Sequence, residues 1–112
     1  MSDDDLIVVR DFLLKGMPWD LSRPRFMDFQ REHIQDKTDG DPTFPARLRQ
    51  VALETLMSEE PEIVCCALTA LAFVGTRHDL ALVEKFTNHN HSKISRFANT
   101  SLFEIRKADR AA

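Results

Sequence analysis

The sequence contains no tyrosine, only two cysteines and only three glycines among its 112 residues. Because Gly16, Gly40 and Gly75 are isolated from one another, they cannot form a glycine-rich loop that cradles phosphate groups. No apolar run reaches the roughly 20 residues that a membrane-spanning helix needs, and the first residues, MSDDD, are acidic where a secretory signal is basic. These absences predict a protein that has no membrane partner and stays in the cytoplasm.

A strong charge of either sign is also lacking. The net charge is −3, with ten acidic and six basic side chains in residues 1–42 and eight and nine in residues 43–112. Neither part has the basic excess that is typical of nucleic-acid-binding proteins, so the composition disfavours a nucleic-acid partner. The length predicts one domain that spans residues 1–112 and can bury its own core.

The most apolar stretch, residues 63–74, reads IVCCALTALAFV and has one polar residue, Thr69. A helix that is apolar on all sides must be covered on all sides. Glu60 and Pro61 can begin this helix and Gly75 can end it, so we expect a central buried helix in an all-α protein. Its neighbouring cysteines, Cys65 and Cys66, diverge by about 100° on a helix and are predicted to be reduced, inert core residues.

The first 42 residues predict two helices. The first helix follows the acidic N-terminus and stops at Gly16; the second begins after Ser22, tolerates Pro24 in its first turn and ends near Gln35. Residues 36–45, DKTDGDPTFP, are rich in turn-forming residues and predict a long loop. The predicted core residues of the second helix are Phe26, Phe29 and Ile34.

The remainder of the chain repeats a short pattern, and the last two of its three copies lie 31 residues apart. An apolar residue, an alanine and a leucine at spacings of four recur in three places: Leu48, Ala52 and Leu56; Ile63, Ala67 and Leu71; and Ile94, Ala98 and Leu102. Between the last two copies, Thr76 to Asp79 resembles a capping box that opens a helix containing Leu80, Val83 and Phe86, and Ser92 can cap the last helix. Such a period is typical of arrays of helical hairpins, in which the alanines allow close helix contacts.

The segments PEIVCCALTALAFVG and SKISRFANTSLFEIR resemble the helices of HEAT repeats, across about residues 46–107. They depart from the family pattern at Val64 and Ser95, where an arginine is usual, and at Ser92, where the first segment has a proline. The resemblance implies antiparallel helical hairpins stacked as a short α-solenoid or bundle, in which residues 1–42 form a terminal cap. It also implies a module that binds other macromolecules, and it transfers no catalytic residue to this chain.

No side chains assemble into a recognisable catalytic or cofactor site. The run His89-Asn90-His91 supplies at most two ligands without a Cys or acidic partner at zinc spacing, so polar turn residues are the favoured interpretation over a metal site. Cys66 as a nucleophile would need partial exposure and an electropositive setting, which this apolar stretch does not offer. We therefore expect no enzyme activity, no metal and no cofactor.

Two charged surfaces are the candidate binding sites. Trp19 is a further candidate because tryptophan is enriched at interface hot spots. The acidic surface consists of Asp36, Asp39, Asp41, Glu59, Glu60 and Glu62, and the basic one of Arg77, His78, Lys85, Lys93 and Arg96. The sequence favours a non-catalytic protein-binding module, such as a small inhibitor or immunity-type protein that meets a basic partner through its acidic surface. The alternative is a nucleic-acid-binding HEAT-like module that uses the basic surface.

Overall fold

The computed structural model describes Ile7, Arg10, Asp11 and residues 24–111, with side chains from Arg31 to Arg110 in the second part. The described residues 24–111 form five α-helices and contain no β-strand. These helices are α1 (Pro24–Gly40), α2 (Phe44–Thr55), α3 (Pro61–Val74), α4 (Leu80–Phe86) and α5 (Ser92–Ala111), with a short 3-10 helix (Arg77–Asp79) before α4. The all-α prediction is confirmed.

Helix α3 is the centre of the molecule, as its composition predicts. Every residue from Val64 to Ala72 is buried, including the polar Thr69, whose hydroxyl donates to the carbonyl oxygen of Cys65 at 2.9 Å. Glu60 is the N-cap residue, and Pro61 lies in the first turn, where its missing N–H costs nothing. Helices α2 and α5 both pack extensively on α3, so its apolar surface is covered from more than one side.

Small residues allow α3 and α5 to approach closely. Ala67 and Ala98, which correspond in the 31-residue repeat, are both fully buried, and Leu71 and Leu102 pack around them. The repeat therefore predicted which faces of these two helices meet the core. Helix α4 begins where the predicted capping box ends, and α5 begins at the predicted Ser92.

Ser101 is the exception to this apolar packing, and it leads to a stability prediction. Its side chain is fully buried and its hydroxyl has no hydrogen-bond partner among the described residues, whereas the equivalent position of the repeat is Ala70. Burying an unpaired hydroxyl costs about 1–3 kcal/mol. We therefore expect Ser101→Ala to raise the free energy of unfolding, measured by urea titration, by about 1 kcal/mol.

A matched control for this prediction lies on the same helix. The Ser95 hydroxyl donates to the carbonyl oxygen of Thr87 at 2.5 Å and ties α5 to the end of α4. Ser95→Ala should therefore lower the free energy of unfolding by about 1 kcal/mol, opposite in sign to the effect at Ser101. Equal losses in both variants would show that the Ser101 hydroxyl is paired in solution.

The predicted loop over residues 36–45 is wrong, because α1 continues to Gly40 and only residues 41–43 connect it to α2. Side-chain bonds along the last turns support the longer helix. Gln35 donates to Asp39 at 2.9 Å, one turn further on, and the Thr38 hydroxyl donates to the Ile34 carbonyl at 2.7 Å. Ile34 is buried as predicted, so a tertiary contact anchors the helix near these turns and outweighs the low helix propensity of Asp and Gly.

The link from α3 to α4 is fixed by the buried carboxylate of Asp79. It accepts the backbone N–H of Thr76 at 2.8 Å, which completes the predicted capping box. It also accepts two bonds from the Arg49 guanidinium of α2, at 2.8 and 2.7 Å. Burial alone would raise the pKa of the Asp79 carboxyl, but the bonds from Arg49 and Thr76 outweigh it and hold that pKa below its ordinary value.

Several sequence predictions concern residues outside the described part of the structure. These are most of the first helix with its acidic cap, its end at Gly16, the Ser22 cap and the side chains of Phe26 and Phe29. Trp19 also lies outside the described residues. Pro24, predicted in the first turn of the second helix, is helical and is the first described residue of α1.

Candidate functional site

The two thiols are placed where they cannot react readily. Cys65 and Cys66 form no disulfide, and both side chains are wholly buried in α3. Burial raises the pKa of the Cys66 thiol to about 12, with a smaller contribution from the neighbouring Cys65, and burial also raises the pKa of Cys65. Since the thiolate is the reactive form, neither cysteine is an activated nucleophile.

Thiol labelling tests this placement directly. We expect maleimide modification of the native protein to be at least about 100-fold slower than that of the urea-unfolded chain, because the reagent reaches the thiols only when the core opens. The unfolded chain is the reference for the intrinsic rate. A native rate equal to the unfolded rate would place a cysteine in an accessible cleft and restore the hypothesis of a catalytic thiol.

His89 and His91 lie in the exposed turn between α4 and α5. The backbone N–H of His91 donates to Nδ1 of His89 at 3.0 Å, and the His89 ring stacks on Phe86 with 6.3 Å between ring centroids. These contacts give the two residues a local structural role. Within residues 24–111 and the three described N-terminal positions, no group of three His, Cys, Asp or Glu side chains is arranged to hold a metal ion.

The six acidic candidates fall into two groups at opposite ends of α2. Asp36 and Asp39 are exposed on the last turns of α1, and Asp41 follows them, whereas the three glutamates of the other group lie beyond Thr55. The 12 residues of α2 correspond to about 18 Å of helix between the two groups. The six acidic residues predicted as one surface therefore form two separate surfaces.

Asp41 is occupied by contacts within its own turn. Its carboxylate accepts the Thr43 hydroxyl at 2.7 Å and the Thr43 backbone N–H at 3.0 Å, and it forms an ion pair with Arg47. The bonds from Thr43, followed by the charge of Arg47, hold the pKa of Asp41 below its ordinary value. This residue organises the connection between α1 and α2.

The second acidic group has an apolar neighbour that the sequence analysis missed. Met57 is 79% exposed at the end of α2, and Glu59, Glu60 and Glu62 are exposed beside it in sequence. We call residues 57–62 the acidic turn. An exposed methionine could have been predicted from its position in a polar turn that interrupts the apolar spacing of α2 and α3.

The five basic candidates are distributed over three elements. Arg77 and His78 lie on the 3-10 helix, Lys85 lies on α4, and Lys93 and Arg96 lie on the first turns of α5. The charges of Lys93, Arg96 and Glu62 all act on the Cys65 thiol, so the start of α5 lies close to the start of α3. The predicted basic surface therefore spans both ends of α4, and Glu62 of α3 acts on the same buried thiol as two of its cations.

A more continuous basic surface lies along the outer face of α5. Phe103 is 58% exposed at its centre, and four exposed cations lie within about 60° of it around the helix. Of these four cations, only Arg96 belongs to the basic surface predicted from the sequence. We call this surface the α5 basic stripe, which consists of Arg96, Asn99, Phe103, Arg106, Lys107 and Arg110.

Comparisons of the chain with known proteins give no match. No protein-family model, no curated protein and no solved structure matches it. In the described part of the chain, no helix combines the length and the apolar character that crossing a membrane would need. The charged surfaces therefore have to be interpreted from their own chemistry.

Proposed function

We propose that the chain is a non-catalytic module that binds another protein and is built from HEAT-like helical hairpins. The antiparallel neighbours α2 and α3, the neighbours α4 and α5, and the packing of α3 on α5 support a short stack of hairpins. Repeat proteins of this kind bind partners through exposed faces and turns. The two buried thiols, which form no disulfide, support a reducing compartment such as the cytoplasm.

The acidic turn is the surface that carries this proposal. Its single deciding feature is Met57, which is 79% exposed next to three exposed glutamates. Protein interfaces combine a desolvated apolar anchor with a polar rim, and methionine adapts its shape to different partner surfaces. Met57 would be the anchor, and the glutamates would be the rim.

The turn is held in place by hydrogen bonds before any partner arrives. The backbone N–H of Met57 donates to the Glu54 carbonyl at 3.2 Å, and that of Ser58 donates to the Thr55 carbonyl at 3.0 Å. The Glu60 N–H donates to the Ser58 hydroxyl at 3.1 Å. A preformed turn loses less conformational entropy on binding, which favours affinity.

The chemistry of the turn specifies a protein with a basic surface and an apolar depression. Three carboxylates would steer such a partner and accelerate encounter at low salt, while they would repel nucleic acid. An inhibitor or immunity-type protein that covers a basic toxin or nuclease is the specific case that fits these features.

Affinity capture from the source cell, followed by mass spectrometry, tests the proposal. We expect the wild-type chain to retain a basic protein that is lost with Met57→Ala and with Glu59→Lys/Glu60→Lys. In binding kinetics with that protein, the double reversal should slow association by about tenfold or more at low salt.

The other acidic group supplies the matched control. Asp36→Lys/Asp39→Lys makes the same charge change at the far end of α2 and should leave capture and the association rate within about twofold of wild type. Loss of capture with this pair but not with the Glu59/Glu60 pair would move the interface to α1. Retention of the same proteins by all variants would contradict both surfaces.

A further inference from the structure

The α5 basic stripe has a charge pattern that its own fold does not require. Arg96, Arg106, Lys107 and Arg110 are all exposed, and none of the described carboxylates projects from the same arc of α5. The acids of α5 are on its flanks: Asp109 borders the groove beside Phe103, and Glu104 lies 3.9 Å from Arg31 of α1.

Helix stability does not explain the stripe. Like charges three or four residues apart, as in Arg106–Arg110 and Lys107–Arg110, destabilise a helix by about 0.2–0.5 kcal/mol per pair, which cancels the gain from the opposite charges of Glu104–Lys107 and Arg106–Asp109. Cations near the C-terminus gain from the helix dipole, but Arg96 lies near the N-terminus, where a cation is unfavourable and where the first turn contains no acid. An exposed phenylalanine in the middle of the stripe adds a further cost in water.

We propose that the α5 basic stripe binds single-stranded nucleic acid, an activity separate from protein binding by the acidic turn. The four cations extend over about 21 Å of helix between Arg96 and Arg110, so they can follow a run of phosphates. Three of the four are arginines, whose planar guanidinium groups match phosphate oxygens better than an ammonium group does.

Phe103 is the reason for choosing a single strand over a duplex. Beside it is a groove of about 460 Å³ lined by Asn99, Leu102, Phe103, Arg106, Asp109 and Arg110. An unpaired base can stack on the exposed ring, whereas the bases of a duplex are already stacked on one another. The Asn99 amide can bond a base edge.

The same surface fits an acidic protein or an anionic membrane less well. An acidic protein would match the four cations, but its carboxylates offer no base that could stack on the exposed ring of Phe103. An amphipathic helix binds membranes through its apolar face, and the apolar face of α5, which includes Ile94, Phe97 and Ile105, is buried in the core.

Fluorescence anisotropy with a labelled oligothymidylate of about 12 nucleotides tests the proposal on the full-length chain. With four phosphates neutralised, raising the salt concentration from about 50 to about 200 mM should weaken binding by about 50-fold. Phe103→Ala should weaken binding by about tenfold and leave the salt dependence unchanged, because it removes stacking and no charge.

Charge variants test whether the oligonucleotide binds at the α5 basic stripe or is attracted by the positive charges of the chain in general. Arg106→Ala/Arg110→Ala should weaken binding and lower the slope of log K against log salt by about 1.4, since two phosphate contacts are lost. Lys85→Ala, an exposed cation of α4, is the control and should change the affinity by less than about twofold. Circular dichroism should be unchanged in each variant because all these side chains are exposed.

Four outcomes would overturn the proposal. The first is no binding at about 100 µM protein in low salt, where even non-specific complexes form. The second is equal or tighter binding to a duplex of the same length that is insensitive to Phe103→Ala. The third is tighter binding to phosphatidylserine vesicles, which would reassign the stripe to a lipid surface. The fourth is equal binding to polyglutamate, which would reassign it to acidic proteins.

Discussion

Replacing Asp79 with alanine is expected to lower the free energy of unfolding by about 3 kcal/mol, because it leaves the Arg49 guanidinium and the Thr76 N–H without their buried acceptor. The carboxylate joins three segments of the chain, since Arg49 of α2 and Thr76 of the α3–α4 link both donate to it. Asp109→Ala is the control, because this aspartate is exposed and should change stability by less than about 0.5 kcal/mol. Equal effects in the two variants would mean that the pair with Arg49 is absent in solution.

The same carboxylate predicts a pH dependence. Its pKa is lower in the folded chain than in the unfolded one, so its contribution is complete above the unfolded value of about 4 and is lost as the pH falls through the folded value. The difference in stability between wild type and Asp79→Ala should therefore be constant near neutral pH and narrow below about pH 4. Urea titrations over this pH range measure it, and a difference that widens in acid would contradict the sign of the pKa change.

Gly75→Ala should destabilise the protein by about 3 kcal/mol, which corresponds to a fall of about 10 °C in Tm. The sequence predicts Gly75 as a helix terminator, and α3 does end there, but with an extended backbone at φ −66° and ψ 154°. Glycine is needed at this position because neighbouring atoms leave no room for a Cβ. A Cβ at this position would overlap the Leu71 carbonyl oxygen of α3 and lie 2.8 Å from Cδ1 of Ile105, so the end of α3 would have to shift even if the Ile105 side chain rotated away.

Gly40 provides the comparison for Gly75. It ends α1, and a Cβ added there meets no atom within 4 Å. Gly40→Ala should therefore be neutral or stabilising by up to about 1 kcal/mol, since alanine restricts the unfolded chain and favours helix. A loss at Gly40 as large as that at Gly75 would indicate a general effect of alanine at helix ends and not a steric contact.

Local sequence signals predicted the elements whose ends are set locally. Pro61 and Gly75 mark the ends of α3, and the Thr76–Asp79 box places the start of α4, because caps and terminators act within one turn. The loop prediction over residues 36–45 failed for the converse reason. Helix α1 extends past Asp36 and Asp39 because Ile34 is anchored in the core, and this contact is invisible to local composition.

The Arg49–Asp79 pair and the α5 basic stripe depend on which residues lie close together in space, and residue composition and spacing do not show this. The Arg49–Asp79 pair joins residues 30 positions apart, so no spacing rule predicts it. The α5 basic stripe was missed because charge was summed over residues 43–112, where eight acids nearly cancel nine bases. Projecting Arg96, Phe103 and Arg110 on a helical wheel would have placed them on one face, at about 100° per residue.

The enclosure of α3 has a consequence for how the molecule melts. Because α2 and α5 both cover this helix, neither hairpin can come apart without exposing apolar surface that the other one shares. Stacks of repeats often unravel stepwise from one end, whereas this arrangement favours a single all-or-none transition for residues 44–111. Calorimetric and van't Hoff enthalpies of that transition should then coincide.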